Sequence, residues 1–291
     1  MPHVNLTNLA KIYGPIMSLK LGTQWMIVGS SPEVAIEILK SKDRIFSGRY
    51  IPKALPATKE ELNQSSLGWT EDCNENWKFL RTLCRVELFS NKALESQAVL
   101  REKCITGLMN FMVSKEGEEV KIAELVFATV FNVLGNSMMS KDFIELEEKD
   151  SDGGMKGIIR AAMEVAAAPN LSDFYPFLSK LDIQGIRRKA AILMAKFCAV
   201  WEPIIEHRRK ERNNSSTHQD FLDILLDNGF SNNQINQLFL ELFSAGTDTT
   251  TSTIEWTIAE LFKNPEAMMN VRGEIDTEIN QDFPKNSHLV S

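Results

Sequence analysis

One helical pattern near the end of this 291-residue chain restricts its fold more than any other feature. Ser231 and Gln234 have capping-box spacing, in which a hydroxyl and an amide satisfy early backbone donors. Apolar residues then recur at helical period: Ile235, Leu238, Phe239, Leu242 and Phe243, and later Ile254, Ile258, Leu261 and Phe262. Pro265 closes the run, because the residue before a proline is pushed out of the α region. The spacing predicts a helix over about 232–263, roughly 45 Å long at about 1.5 Å per residue. An element of that length crosses a whole domain, and other helices must pack around it.

The middle of this helix carries Ala245-Gly246-Thr247-Asp248-Thr249-Thr250, a poor sequence for a straight buried helix. Glycine and β-branched threonines cost helix stability through backbone entropy and stiff side chains. Such a conflict between local propensity and the surrounding pattern marks a functional or strained site. Small side chains at Ala245 and Gly246 would let something large and flat approach the backbone. The Thr249 hydroxyl can bond to a carbonyl one turn back or accept an inserted water. Asp248 adds a carboxylate, so a break here, with water and an acid, suits proton delivery. A helix crossing that needs glycine, with the threonines in solvent, would leave the same trace.

Upstream, Asn5 to Tyr13 reads as a short amphipathic helix stopped by Gly14-Pro15. Met17 to Leu21 and Trp25 to Val28 flank a Gly22-Thr23-Gln24 turn, which predicts a hairpin. Ser31-Pro32 opens a helix with a capping hydroxyl and a proline at the first position. Ile51 to Asp72, with Pro52, Pro56 and Gly68, reads as irregular chain. From about Asn76 the pattern is helical, with breaks at Glu116-Gly117, Asp152-Gly153-Gly154 and Asn213 to Ser216. The expected fold is therefore mainly α with a small N-terminal β-hairpin, without internal repeat or low-complexity linker.

Hydrophobic residues at 43% and charged residues at 24% fit a packed helical globule. A net charge of −7 gives no reason to invoke nucleic acid, which favours a basic face. The basic run Arg208-Arg209-Lys210 with Arg212 falls at a predicted helix C-terminus, where it complements the dipole. No stretch reaches the roughly eighteen consecutive apolar residues of a spanning helix.

Cys73, Cys84, Cys104 and Cys198 show neither metal-site spacing nor a disulfide framework, which points to a reducing compartment. Cys84 and Cys198 fall in apolar helical patterns as small buried hydrophobes. His3, His207, His218 and His288 have no ligand spacing either.

The hexapeptide resembles the oxygen-activating signature of cytochrome P-450 haem-thiolate monooxygenases: a small residue, Gly, any residue, an acid, Thr, then Thr or Ser. Every position matches. Trp77-Lys78-Phe79-Leu80-Arg81 resembles a second family motif, a Trp and an Arg sharing one helix face beside a haem propionate. The string at 11–16 is similar to the family's first helix and strand. Arg44 to Tyr50, Asn74 to Lys78 and Leu240 to Leu261 are similar to plant members of benzylisoquinoline alkaloid metabolism, the N-methylcoclaurine 3'-hydroxylases.

The resemblance implies the N-terminal two-thirds of a cytochrome P-450 fold in a single truncated domain over 1–291. Within it, 1–50 forms the helix and hairpin part, 51–75 a distal substrate loop, and 76–291 the helical part. It implies haem b, electrons from NADPH through NADPH-cytochrome P-450 reductase, and ring hydroxylation of a small-molecule plant alkaloid. Trp77, Arg81, Ala245 and Gly246 would bind haem, and Asp248 and Thr249 would carry the catalysis. The family's Glu-x-x-Arg helix, meander and cysteine loop would lie beyond Ser291. Glu206 to Arg209 spells Glu-x-x-Arg, but it precedes the long helix and is a chance match. This stretch by itself is expected to be inactive. The anchor that would hold the full-length protein on the cytosolic face of the endoplasmic reticulum is absent from it. Phenol coupling or terpenoid hydroxylation on the same fold, and a haem-free all-helical interaction module, remain alternative readings.

Overall fold

The computed structural model describes residues 1–147, 154–211 and 220–279. The expected breaks at Asp152-Gly153 and Asn213 to Ser216 lie outside these residues, as do Arg212, His218 and His288.

The chain opens with α1 (Pro2–Tyr13), closed by Gly14 at φ 93°, a left-handed value that favours glycine. Strands β1 (Ile16–Leu21) and β2 (Gln24–Gly29) pair antiparallel, Ile16 opposite Gly29 and Leu21 opposite Gln24. Ser31 then caps α2 (Pro32–Ile36), its hydroxyl accepting from the Val34 N–H. A single π turn over Glu37–Ser41 leads into α3 (Asp43–Phe46). These elements follow the predicted order closely.

The segment expected to be irregular contains α4 (Lys59–Ser65). A capping box builds it: Thr58 Oγ1 accepts from the Glu61 N–H, and the Glu61 carboxylate accepts from the Thr58 N–H. The helices α5 (Glu75–Glu87), α6 (Asn91–Ser96), α7 (Ala98–Ser114) and α8 (Ile122–Met139) follow. After them come α9 (Met155–Ala167), the single turn α10 (Leu171–Phe174) and α11 (Ile186–Glu211). The described chain ends with α12 (Phe221–Asp227), α13 (Asn232–Lys263) and α14 (Pro265–Glu278).

Two compact units form. The first comprises residues 1–79 and 164–194. Its hairpin turn is tied to α10: the Thr23 N–H and hydroxyl both donate to the Phe174 carbonyl, at 2.8 and 2.9 Å. A Cβ at Gly22 would lie 2.4 Å from that same oxygen, so close approach and a φ of +62° both require glycine. Asp173 organises the neighbouring loop, its Oδ1 accepting from the Tyr50 hydroxyl and the Lys53 N–H.

The second unit comprises residues 80–163 and 195–291. Its core is an aromatic cluster on three helices, with ring centroids 4.6 Å apart for Phe131 and Phe243 and 5.1 Å for Trp201 and Phe243. Phe197 and Phe239 extend it from α11 and α13. α8 is long and apolar enough to cross a membrane by length and composition, yet half of it is buried and it serves here as a core helix.

At the end of α8, Ser140 adopts a left-handed cap, and its hydroxyl donates to Asp220. Arg208 donates to both oxygens of Asp220, to Asp223 Oδ2 at 2.9 Å, and to the Met139 carbonyl. The run at Arg208 therefore does more than complement a dipole: it ties the ends of α8, α11 and α12. Arg209 and Glu206 both hold Asn232, the first residue of α13. The Glu206–Arg209 string thus has a packing role.

Candidate functional site

α13 runs from Asn232 to Lys263 with the predicted ends, but it is helical throughout, with no break at the hexapeptide. Glycine costs a helix about 1 kcal/mol relative to alanine and threonine about half that. Burying Phe243 between Phe131 and Trp201 offsets a sum of this size. The Ser231–Gln234 capping box and the Asn264-Pro265 stop fix its ends.

The helix has two contrasting faces. Phe243, Thr247 and Thr251, one turn apart, are buried. Ala245, Thr249 and Thr253, also one turn apart, are exposed. Asp248 is half-buried between them. Gly246 faces α8, where a Cβ would lie 2.9 Å from Leu134 Cδ1. The room expected at Gly246 for a flat group is therefore taken by Leu134. Of the small pair, only Ala245 leaves its surface open.

Hydroxyls line this helix. Thr247 donates to the Phe243 carbonyl, Thr249 to that of Ala245 and Thr250 to that of Gly246, at 2.8, 2.8 and 2.9 Å. Thr253 and Thr257 repeat the bond toward Thr249 and Thr253. With its proton directed back to Ala245, Thr249 Oγ1 presents only lone pairs to the exposed side. The same face continues into an open groove of about 850 Å³ bordered by Thr253, Trp256, Thr257 and Glu260 of α13 and Asn270 of α14. The sequence reading missed this groove, although Thr253 and Thr257 continue the period of Thr249.

Trp77 is half-buried, and its indole N–H donates to the Leu67 carbonyl at 3.1 Å. Arg81, one turn on in α5, is exposed.

All four cysteines are free thiols. Burial pushes the Cys84 thiol up to about 12, with the Glu241 charge adding to it. Cys104 and Cys198, which is only half-buried, are raised chiefly by desolvation too. A thiolate ligand needs the opposite environment. Among the described residues no group of three or more His, Cys, Asp or Glu is placed to hold a metal ion.

A model of the family described as cytochrome P450 matches residues 1–290. The chain belongs to the cytochrome P450 family. Membership brings haem iron with it as the family's cofactor. The chain is 42% identical to corytuberine synthase of Coptis japonica over 99% of its own length and 58% of that protein's. It is 41% identical to the probable (S)-N-methylcoclaurine 3'-hydroxylase isozyme 2 of Coptis japonica, with the same coverage. Berbamunine synthase of Berberis stolonifera is 34% identical over 98% of this chain and 58% of that protein. The chain thus spans somewhat over half the length of these P450 relatives. Its small, exposed Ala245 and Thr249 fit the flat face of a haem, and Arg81, an exposed residue of α5, has a side chain whose chemistry fits a carboxylate. Its raised thiols do not fit the iron.

Proposed function

We propose that the whole protein is a haem-thiolate monooxygenase that hydroxylates an aromatic ring of a benzylisoquinoline alkaloid, with (S)-N-methylcoclaurine 3'-hydroxylation as the reaction. The 41% identity to a probable hydroxylase of that name supports the substrate class. The reading rests most on one observation: Ala245 and Thr249 share an exposed face, and the Thr249 proton is bonded inward.

When bound, the haem would supply dioxygen activation, with a cysteine thiolate from beyond Ser291 pushing electron density onto the iron. Thr249 Oγ1, with its own proton held by Ala245, accepts a hydrogen bond from water or a substrate-side donor. Asp248, one residue earlier and half-buried, takes protons from solvent and passes them to the water that Thr249 Oγ1 holds. General acid help of this kind contributes roughly a hundred- to ten-thousand-fold in rate. Ala245 keeps the face low, and Arg81 neutralises a propionate. Electrons come from NADPH through a flavoprotein reductase, and the protein sits on the cytosolic face of the endoplasmic reticulum.

The test is Thr249→Ala in the protein extended to the length of its relatives. Substrate binding stays near wild type, product falls, and hydrogen peroxide per NADPH rises. Fully coupled turnover in that variant rules out the role given to Thr249. A synthase outcome, with phenol coupling as its form, is the second reading, favoured by the 42% identity to corytuberine synthase. Product analysis with candidate alkaloids separates the two.

A further inference from the structure

We propose that Thr253 is a positioning residue for Thr249, holding its main chain through a hydroxyl bond that no motif assigns. The inference rests on the role given to Thr249 above and extends it to a residue outside the hexapeptide.

Thr253 Oγ1 donates to the Thr249 carbonyl at 2.8 Å, and Thr257 Oγ1 donates to the Thr253 carbonyl at 2.7 Å. Thr249 is thus held at both ends: its hydroxyl is tied back to Ala245 and its carbonyl is tied forward to Thr253. The other threonines of the hexapeptide lack this second tie. Residue 254, one turn beyond Thr250, is isoleucine, and the buried Thr251 hydroxyl makes no bond to the Thr247 carbonyl.

A carbonyl that accepts a hydroxyl also serves the helical N–H four residues on, so each added bond competes with the main-chain ladder and tilts the carbonyl outward. Here the bonds at 249, 253 and 257 lie on one exposed face, so their tilts act in one direction. The result sets where Thr249 Oγ1 stands, and proton transfer depends on that geometry to a fraction of an ångström. Thr253 does this at a distance, without itself meeting the reacting groups.

Thr253→Val removes only the hydroxyl, keeping shape and branching, and Thr253→Ser restores it. In the haem-loaded protein at the length of its relatives, with reductase, Thr253→Val is expected to raise hydrogen peroxide per NADPH several-fold. Substrate affinity, read by the haem spin-state shift, should stay unchanged, and Thr253→Ser should return coupling to wild type. On the unloaded chain, amide exchange across 249–257 should slow in Thr253→Val, because the competing donor is gone. Unchanged coupling in Thr253→Val, or equal uncoupling in Val and Ser, overturns the proposal. Thr249→Ala run alongside keeps the two readings apart. If it stays coupled, the role of Thr249 falls; if it uncouples while Thr253→Val does not, only this inference falls.

Discussion

Gly246 of α13 and Leu134 of α8 meet so closely that a Cβ on the glycine would lie 2.9 Å from Leu134 Cδ1. The glycine in the hexapeptide therefore sits at a close helix crossing. Thr249 and Thr250 of the same string are exposed, whereas Thr247 is buried.

The atom opposing a Gly246 side chain is the far end of a half-buried leucine, which can rotate away. Overpacking at the low end of about 1–3 kcal/mol is then largely offset by alanine's helix advantage of about 1 kcal/mol. Gly246→Ala should unfold in urea within about 1 kcal/mol of wild type. At Gly135 a Cβ would lie 2.6 Å from the Lys141 carbonyl oxygen and the Phe143 ring. Backbone cannot turn aside, so Gly135→Ala should lose about 3 kcal/mol. The reverse ranking would refute this account of the crossing.

Arg208 is the cation facing Asp220 and Asp223, whose side chains are only 1% and 10% exposed. Arg208→Met keeps the stem and removes the charge, leaving two buried carboxylates without it. Breaking a buried pair from one side costs about 3–5 kcal/mol. Denaturant unfolding should show a loss of that size, and Asp220→Asn in the same chain should recover part of it. A loss below about 1 kcal/mol would mean the cluster is as weak as a surface ion pair.

What the sequence made legible was local. The Ser231–Gln234 box, the Asn264-Pro265 stop, Gly14 after α1 and the Gly22-Thr23 turn each act within a few residues, and the elements they bound came out where expected. α4 carried an equally local signal, Thr58 with Glu61, but Pro52 and Pro56 just before it drew the segment toward loop. The remaining differences are all long-range. Ser140 meets Asp220 across eighty residues of sequence, and Leu134 meets Gly246 across more than a hundred. Neither can be read from period or capping. The chemistry of the hexapeptide marked it as a candidate site, whereas its unbroken helix depends on an aromatic core contributed by α8 and α11.

Tyr50, half of which is exposed, is expected to give the first unit a modest dependence on alkaline pH. Burial raises its phenol from 10.0 to about 12, with the hydrogen bond to Asp173 and that carboxylate's charge adding to the effect. A folded pKa above the unfolded one favours the protonated form. The stability it contributes is therefore present below pH 10 and lost as pH rises through about 12. Thermal unfolding followed across that window should show a steeper decline for wild type than for Tyr50→Phe. A phenolate absorbance step near pH 12 should disappear in the variant. Parallel curves for the two proteins would remove Tyr50 as the cause.

Thr247 and Thr251 lie one turn apart on the buried face of α13, and they differ in one respect. The Thr247 hydroxyl donates to the Phe243 carbonyl at 2.8 Å, whereas Thr251 Oγ1 is buried without a partner. Valine is nearly isosteric with threonine and has a similar helix propensity. Replacing Thr251 by Val relieves an uncompensated desolvation of about 1–3 kcal/mol, so the variant should be about 1 kcal/mol more stable than wild type. Replacing Thr247 by Val removes a made bond and should cost about 0.5–1 kcal/mol, the loss softened because the Phe243 carbonyl keeps its helical N–H. Urea midpoints moving in opposite directions are the expected signature. If Thr251→Val is destabilising instead, the hydroxyl holds a buried water that bridges α13 to its neighbour, and the orphan reading of Thr251 fails.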